Sequence, residues 1–289
     1  MIVRSLDGLK KTIWQMRKIC FQIHKWLSIP FGIILAIVCL TGAILALEPE
    51  LSELFYRSRY YVKEVQATPL PTEQLLEAAR EQLPPSLEAT GIQESDDPQR
   101  TYQITLKGKR KAAFIDPYTA KVVAIDDGTG FFMKTMRFHR WLYDTYKRGA
   151  FSWGKTIVGY STLAMVIILI TGLILWFPKK GQSWRNRFVI HTRNGWLRFW
   201  HDLHVVGGFY VSLFLLCMSL TGLSWSFGWT QNLMSLLFDH RLLYSLHTGV
   251  WGGFPARLFY ALVALMGVVL VFTGYYLWLS PSKRKRKAH

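Results

Sequence analysis

His24 is followed 17 residues later by Thr41-Gly42, and His204 is followed 17 residues later by Thr221-Gly222. Two further Thr-Gly pairs open the similar stretches "TGLILWFPKK" at Thr171 and "TGYYLWLSPSK" at Thr273. Each of these is preceded by another histidine, His139 in "FHRWL" and His247 in "LHTGV". Imidazole can act as acid, base, proton carrier or metal ligand. Four imidazoles in a repeated pattern point to ligation. No Glu, Asp or Cys lies beside all four, as a closed zinc site would require.

The elements that position these residues are apolar. Four stretches lack any charged side chain for about 20 residues or more: Trp26 to Leu47, Thr156 to Phe177, Val205 to Leu237 and Leu258 to Leu279. A helix of about 20 apolar residues crosses a bilayer. The third span is placed at 205–227, with Gly228 onward leaving the membrane. The first run is too long for a signal peptide, and Glu48-Pro49-Glu50 follows it instead of a small-residue cleavage site. It is read as a retained helix.

Basic residues give the orientation. Arg4, Lys10, Lys11, Arg17, Lys18 and Lys25 precede the first span. Lys179, Lys180, Arg185, Arg187, Arg193 and Arg198 follow the second, and the tail holds Lys283 to Lys287. Only Asp7 and Asp202 oppose them, so this side carries +15 of the formal +17. The positive-inside rule makes it the cytoplasm, with both termini there. Charge that hugs membrane boundaries argues for topology and against nucleic-acid binding. The three cysteines form no C-x-x-C and no C-x-x-C-H, which excludes a thiol relay and haem attached through that motif.

The expected fold is an all-α membrane protein, a four-transmembrane-helix bundle built from two parallel helix-pair repeats, with a small α+β domain inserted on the outer side. The segments are 1–47 (cytoplasmic segment and first span), 48–138 (outer domain), 139–177 (outer histidine segment and second span), 178–204 (basic cytoplasmic loop), 205–227, 228–257 (outer loop), 258–279 and 280–289 (basic tail). In the outer domain, "PTEQLLEAAREQLPPS" reads as a helix stopped by Pro84-Pro85. Alternation at Tyr102, Ile104 and Leu106 reads as a strand, and Lys121 to Ile125 as another after the Asp116-Pro117 turn. Gln93 to Arg100 reads as a polar loop.

Seventeen helical residues rise about 25 Å, so His24 and His204 lie near one membrane face and their Thr-Gly pairs toward the other. Packing around a two-fold axis sets His24 against His204 and His139 against His247. Two imidazoles suit haem iron, copper or zinc. A porphyrin brings four equatorial nitrogens of its own, so two axial imidazoles suffice and a haem at each pair is expected. Arg17, Lys18, Lys25 and Arg198 at the inner pair, and Arg137 and Arg140 at the outer one, are candidate partners for the propionates. Gly207-Gly208 and Trp225 would suit a flat macrocycle. His201, three residues before His204, is a further candidate as rival ligand, propionate partner or proton carrier. His191 and His240 fit no repeat position and read as ordinary histidines, and His289 lies in the tail. For any single histidine the competing reading is an amphipathic anchor at the interface. The Thr-Gly pairs read first as tight helix packing, with clearance for a haem edge as the alternative. No catalytic acid, base or nucleophile stands out.

The stretches "HKWLSIPFGIILAIVCLTGAILALEPE", "AFIDPYTAKVVA", "HRWLYDT", "TGLILWFPKK", "LHVVGGFYVSLFLLCMSLTGL" and "TGYYLWLSPSK" resemble the PepSY-associated transmembrane proteins, over nearly the whole chain. That family includes inner-membrane ferrisiderophore reductases of Gram-negative bacteria. The resemblance implies a periplasmic PepSY-like domain, b-type haem at His24, His139, His204 and His247, and electron transfer from the cytoplasmic side to periplasmic ferric iron. "LHVVGG" lacks the basic residue that commonly follows this histidine in the family, which leaves room for His201. No G-x-G-x-x-G follows a strand, so the donor implied is quinol or a separate cytoplasmic reductase. Arg57, Arg59, Arg137, Arg140, Lys147 and Arg148 are candidates for attracting an acidic ferric chelate, or form a solvated face. The rival functions are a cytochrome b subunit serving another periplasmic acceptor, and a non-enzymatic anchored PepSY module that binds peptides or a protease.

Overall fold

The computed structural model describes residues 2–108, 110–145, 150–178 and 183–280, the side chains of 2–11, 13 and 186 excepted. The readings on Arg4, Lys10 and Lys11 as side chains, on Lys147, Arg148, Lys179 and Lys180, and on the tail with His289 fall outside the described residues.

The chain opens with α1 (Ile2–Ala46), a single helix of 45 residues. Short helices α2 (Glu48–Phe55) and α3 (Arg57–Tyr60) follow. Next come α4 (Thr72–Gln82) and strands β1 (Ala89–Gln93), β2 (Tyr102–Leu106), β3 (Ala112–Ile115) and β4 (Val122–Asp126). Helix α5 (Phe131–Trp141) precedes the long α6 (Trp153–Trp176). Helix α7 (Trp196–Asp202) runs through a π-helical turn, Leu203–Gly207, into α8 (Gly208–Leu223). Helices α9 (Gly228–Leu237) and α10 (His240–Thr248) lead to α11 (Gly253–Leu279).

Four stretches are long and apolar enough to cross a membrane: Trp14–Ala46, Trp153–Trp176, Trp196–Leu223 and Val250–Leu279. Their number agrees with the sequence reading and some limits do not. The third was expected over 205–227, yet the helical run starts at Trp196 and ends at Leu223. It starts early because Arg198 and Asp202 pair one turn apart, 2.8 Å between Nε and Oδ2, which lets polar residues continue the helix. It ends early because Ser224 to Phe227 turn back, with Ser226 N–H donating to the Leu223 carbonyl at 2.9 Å.

The residues fall into two compact units, 1–46 with 137–289, and 47–136. In the first unit α1 packs against α6 and α11, and α8 packs against the same two. The four helices thus close a ring with α1 diagonal to α8. Close approach is built in: a Cβ on Gly32 would meet the Tyr275 hydroxyl at 2.8 Å, and one on Gly207 would meet Met266 Cε at 2.2 Å. Gly207 therefore serves helix packing.

The second unit is an antiparallel sheet in the order β1-β2-β3-β4 with α4 against it. Leu75, Ala79 and Leu83 recur at four-residue spacing and meet Tyr102, Ile104 and Leu106, the inward face of β2. Gln82 ties the helix end to the sheet, donating to Ala120 O at 2.7 Å and accepting from Val122 N at 2.9 Å. The turn reading of Asp116-Pro117 holds, since Asp116 Oδ1 accepts the Tyr118 N–H at 2.9 Å. Strand β1 was not read. Its sequence Ala-Thr-Gly-Ile-Gln has little strand character, and its register with β2 shifts between Ala89 and Gly91.

Candidate functional site

The four recurring histidines meet in two pairs. The ring centroids of His24 and His204 lie 6.3 Å apart, and those of His139 and His247 lie 6.2 Å apart. His24 is on α1 and His204 on the π-helical turn before α8, so the first pair joins the diagonal helices. His139 comes from the end of α5 and His247 from the end of α10. The first pair sits against α6 and α11 near their ends. The second sits some 17 residues farther along α1 and α8, about 25 Å away.

Every imidazole rests in the same kind of socket, made by a Thr-Gly pair of another helix. His24 Nδ1 lies 2.9 Å from the Ile168 carbonyl and 3.3 Å from Thr171 Oγ1. His139 Nδ1 lies 2.9 Å from Val38 O and 3.1 Å from Thr41 Oγ1. His247 Nδ1 lies 2.9 Å from Met218 O and 3.2 Å from Thr221 Oγ1. His204 Nδ1 lies 2.8 Å from Thr273 Oγ1. In the first three sockets the carbonyl belongs to the residue three before the threonine. The glycine completes the socket: a Cβ on Gly172, Gly42, Gly222 or Gly274 would stand 3.2, 3.0, 3.0 or 3.5 Å from the Cε1 of His24, His139, His247 or His204. The Thr-Gly pairs were read first as helix packing, and here they seat the imidazoles.

This seating fixes the tautomer. A carbonyl only accepts, so Nδ1 carries the proton in His24, His139 and His247. Thr273 donates its own hydroxyl proton to Leu270 O at 3.0 Å, so its oxygen accepts from His204 Nδ1. Each ring is left with an Nε2 lone pair. Burial pushes the His139 and His247 imidazoles down to about 4, which keeps both neutral near pH 7. A metal-binding histidine characteristically donates its other N–H in this way.

The spacing can be tested against a metal held between the rings. A metal–imidazole bond of about 2.0–2.1 Å, with the nitrogen about 1.15 Å from the ring centre, puts trans centroids ~6.3–6.5 Å apart. The His24–His204 separation of 6.3 Å falls at the lower edge of this range, and the His139–His247 separation of 6.2 Å lies 0.1 Å below it. Among the described residues no three or more His, Cys, Asp and Glu gather into a metal site. Each pair offers two imidazoles, a set that would suit a metal bringing its other ligands with it.

The remaining candidates have other partners. His201 Nδ1 lies 3.2 Å from Asp202 Oδ1, and the Arg198 Nε donates to Asp202 Oδ2 at 2.8 Å. His191, read as an ordinary histidine, joins them with its Nδ1 2.8 Å from Asp202 Oδ2. Asp202, 2 % exposed, is the centre of this cluster and sequence reasoning passed over it. Arg17 caps the end of α6 at the carbonyls of Ile174, Leu175 and Phe177. Lys18 and Lys25 lie over Trp14 and Trp26. Arg137 lies over Tyr143 and Arg140 over Trp141. Arg57 lies over Tyr61, and Arg59 pairs with Asp126 at 3.1 Å. Trp225 packs 5.2 Å from His247 and its indole N–H donates to His240 Nε2 at 3.4 Å.

Asp144, Ser152 and Gly154 hold the His139 end in place. Ser152 Oγ and Gly154 N donate to Asp144 Oδ2 at 2.8 and 3.2 Å, and the Ser152 bond first of all holds that carboxyl below the usual range. A Cβ on Gly154 would stand 1.7 Å from the Trp141 carbonyl oxygen, two residues from His139.

No curated protein matches this chain. Its four apolar helices and a matching family model make it a multi-pass membrane protein. That model is the PepSY-associated TM region, matched over residues 21–241, and the chain belongs to this family.

Proposed function

We propose that the protein is a haem-b-dependent membrane reductase that carries electrons from the cytoplasmic side, or from the quinol pool, to periplasmic ferric iron or a ferric siderophore. The observation that carries this reading is the two imidazole pairs at metal-spanning separation, each ring tied through Nδ1. Haem b, when bound, would supply a one-electron centre at each pair. The chain's own residues supply the rest. His24 with His204, and His139 with His247, offer Nε2 lone pairs. The threonine and carbonyl acceptors hold the rings and raise their basicity. The apolar helices keep water from both sites.

In this reading α1 with α6, and α8 with α11, are two copies of one helix-pair unit, and 47–136 is an insertion into the first. The basic flanks face the cytoplasm of a bacterial inner membrane, and the inserted unit faces the periplasm. A siderophore holds Fe(III) with hard oxygen donors, and one-electron reduction to Fe(II) weakens that grip. The metal stays with its chelator until reduced, so the chain need not ligate Fe(III) itself.

Re-oxidation tests the activity. Protein reduced with dithionite, freed of excess reductant and mixed with a ferric hydroxamate siderophore is expected to return to its oxidised spectrum while an Fe(II)-specific dye colours. A protein that stays reduced would instead serve another periplasmic acceptor.

A further inference from the structure

An aromatic patch lies at the end of the bundle that carries His24 and His204. Trp176, five residues beyond Thr171 on α6, stacks on Phe209 of α8 with centroids 3.8 Å apart and planes 13° apart. Phe209 in turn is five residues beyond His204. Phe188 and Trp184, from the loop before α7, meet Trp176 edge-on at 5.1 and 5.9 Å. Trp184, Phe188 and Tyr210 are exposed at its rim, beside the end of an apolar span. Interfacial anchoring alone would explain exposed rings. It does not explain Trp176, which is 7 % exposed and whose indole N–H is buried with no acceptor among the described residues. Buried donors are ordinarily paired.

Three residues from Phe188 stands a second group. His191 donates through both its backbone N–H, at 3.2 Å, and its Nδ1, at 2.8 Å, to the buried Asp202 carboxylate. Its side chain is 31 % exposed. With Nδ1 holding the proton, Nε2 keeps a lone pair that can take one from a ligand.

We propose that this end of the bundle binds a quinol headgroup arriving through the lipid, on the patch of Trp176, Trp184, Phe188 and Phe209, with Trp176 donating to one quinol oxygen and His191 accepting a proton from the other. The inference rests on the proposed function and names its electron donor. Oxidation of one quinol to quinone releases two electrons and two protons. The electrons would leave singly for a haem held by His24 and His204. One proton goes to His191 Nε2 and one to water at that face. A water-soluble reductase would have no use for an aromatic surface beside the end of an apolar span.

Binding is read apart from turnover, in full-length protein in detergent. Decylubiquinone is titrated against tryptophan fluorescence, and decylubiquinol against the rate of haem reduction. Trp176→Phe, which keeps the ring and removes the N–H, is expected to weaken decylubiquinone binding by about 5- to 10-fold. His191→Gln is expected to leave that binding within about 3-fold and to slow reduction by decylubiquinol about 100-fold, the usual effect of removing a general base. In both variants dithionite still reduces the protein as in the wild type, which separates loss of the donor site from loss of the haem. Wild-type protein that binds no decylubiquinone, or variants that match it in both measurements, would overturn the proposal, and the indole N–H would then be satisfied by the faces of its neighbouring rings. Failure of dithionite to produce any haem spectrum in the wild type would instead remove the reading on which the proposal rests.

Discussion

A partly buried imidazole has two nitrogens to satisfy, and each of the four paired histidines satisfies Nδ1 against a Thr-Gly socket. Three sockets supply a backbone carbonyl at 2.9 Å together with a threonine hydroxyl, whereas His204 has the Thr273 hydroxyl at 2.8 Å as its closest partner. Thr273→Val is therefore expected to weaken haem retention about 10- to 100-fold, the usual cost of losing a partner one layer out from a metal ligand. Thr41→Val, which leaves the Val38 carbonyl in place, is expected to cost less. Haem content after dilution and gel filtration measures both. His24→Ala or His204→Ala is expected to remove one haem, and His139→Ala or His247→Ala the other. Full haem content in all four variants would rule out the ligand assignment.

At the scale of elements, the sockets depend on close approach between helices. Gly154→Ala would put a methyl group 1.7 Å from the Trp141 carbonyl oxygen, and backbone cannot yield as a side chain can. The end of α5 must then move, taking His139 with it. The expected outcome is loss of the His139–His247 haem with the other retained, seen as a halved haem-to-protein ratio in a protein that still assembles. Much at this scale was legible from sequence. The four spans follow from charge-free runs, and β2 follows from alternation at Tyr102, Ile104 and Leu106, all buried on one face. Other features were not, because they depend on partners distant in sequence. Thr171 meets a histidine 147 residues away, so its Thr-Gly pair read as packing alone. Asp202 looked like an isolated acid in a basic loop, and only the fold brings His191 to it. The start of α7 was hidden by polar residues that satisfy one another. The recurrence of Thr-Gly beside each histidine was the one signal that pointed to the sockets, and it carried no geometry.

For the whole molecule, charge and redox direction are linked. In the proposed reading the positive-inside rule assigns the basic flanks to the cytoplasm, so the His24–His204 pair would lie near that side and residues 47–136 would be translocated. An alkaline phosphatase fusion after residue 136 is expected to be active and one after residue 280 inactive. The reverse pattern would invert the direction of electron flow. The measurement that bears most directly on two haems held by four histidines is the visible spectrum of the detergent-purified protein, oxidised and dithionite-reduced, with haem quantified per chain. A sharp reduced α-band at about two haems per chain is expected from two bis-imidazole sites. No Soret band in protein from haem-replete cells would contradict it, and the four imidazoles would then be interfacial anchors.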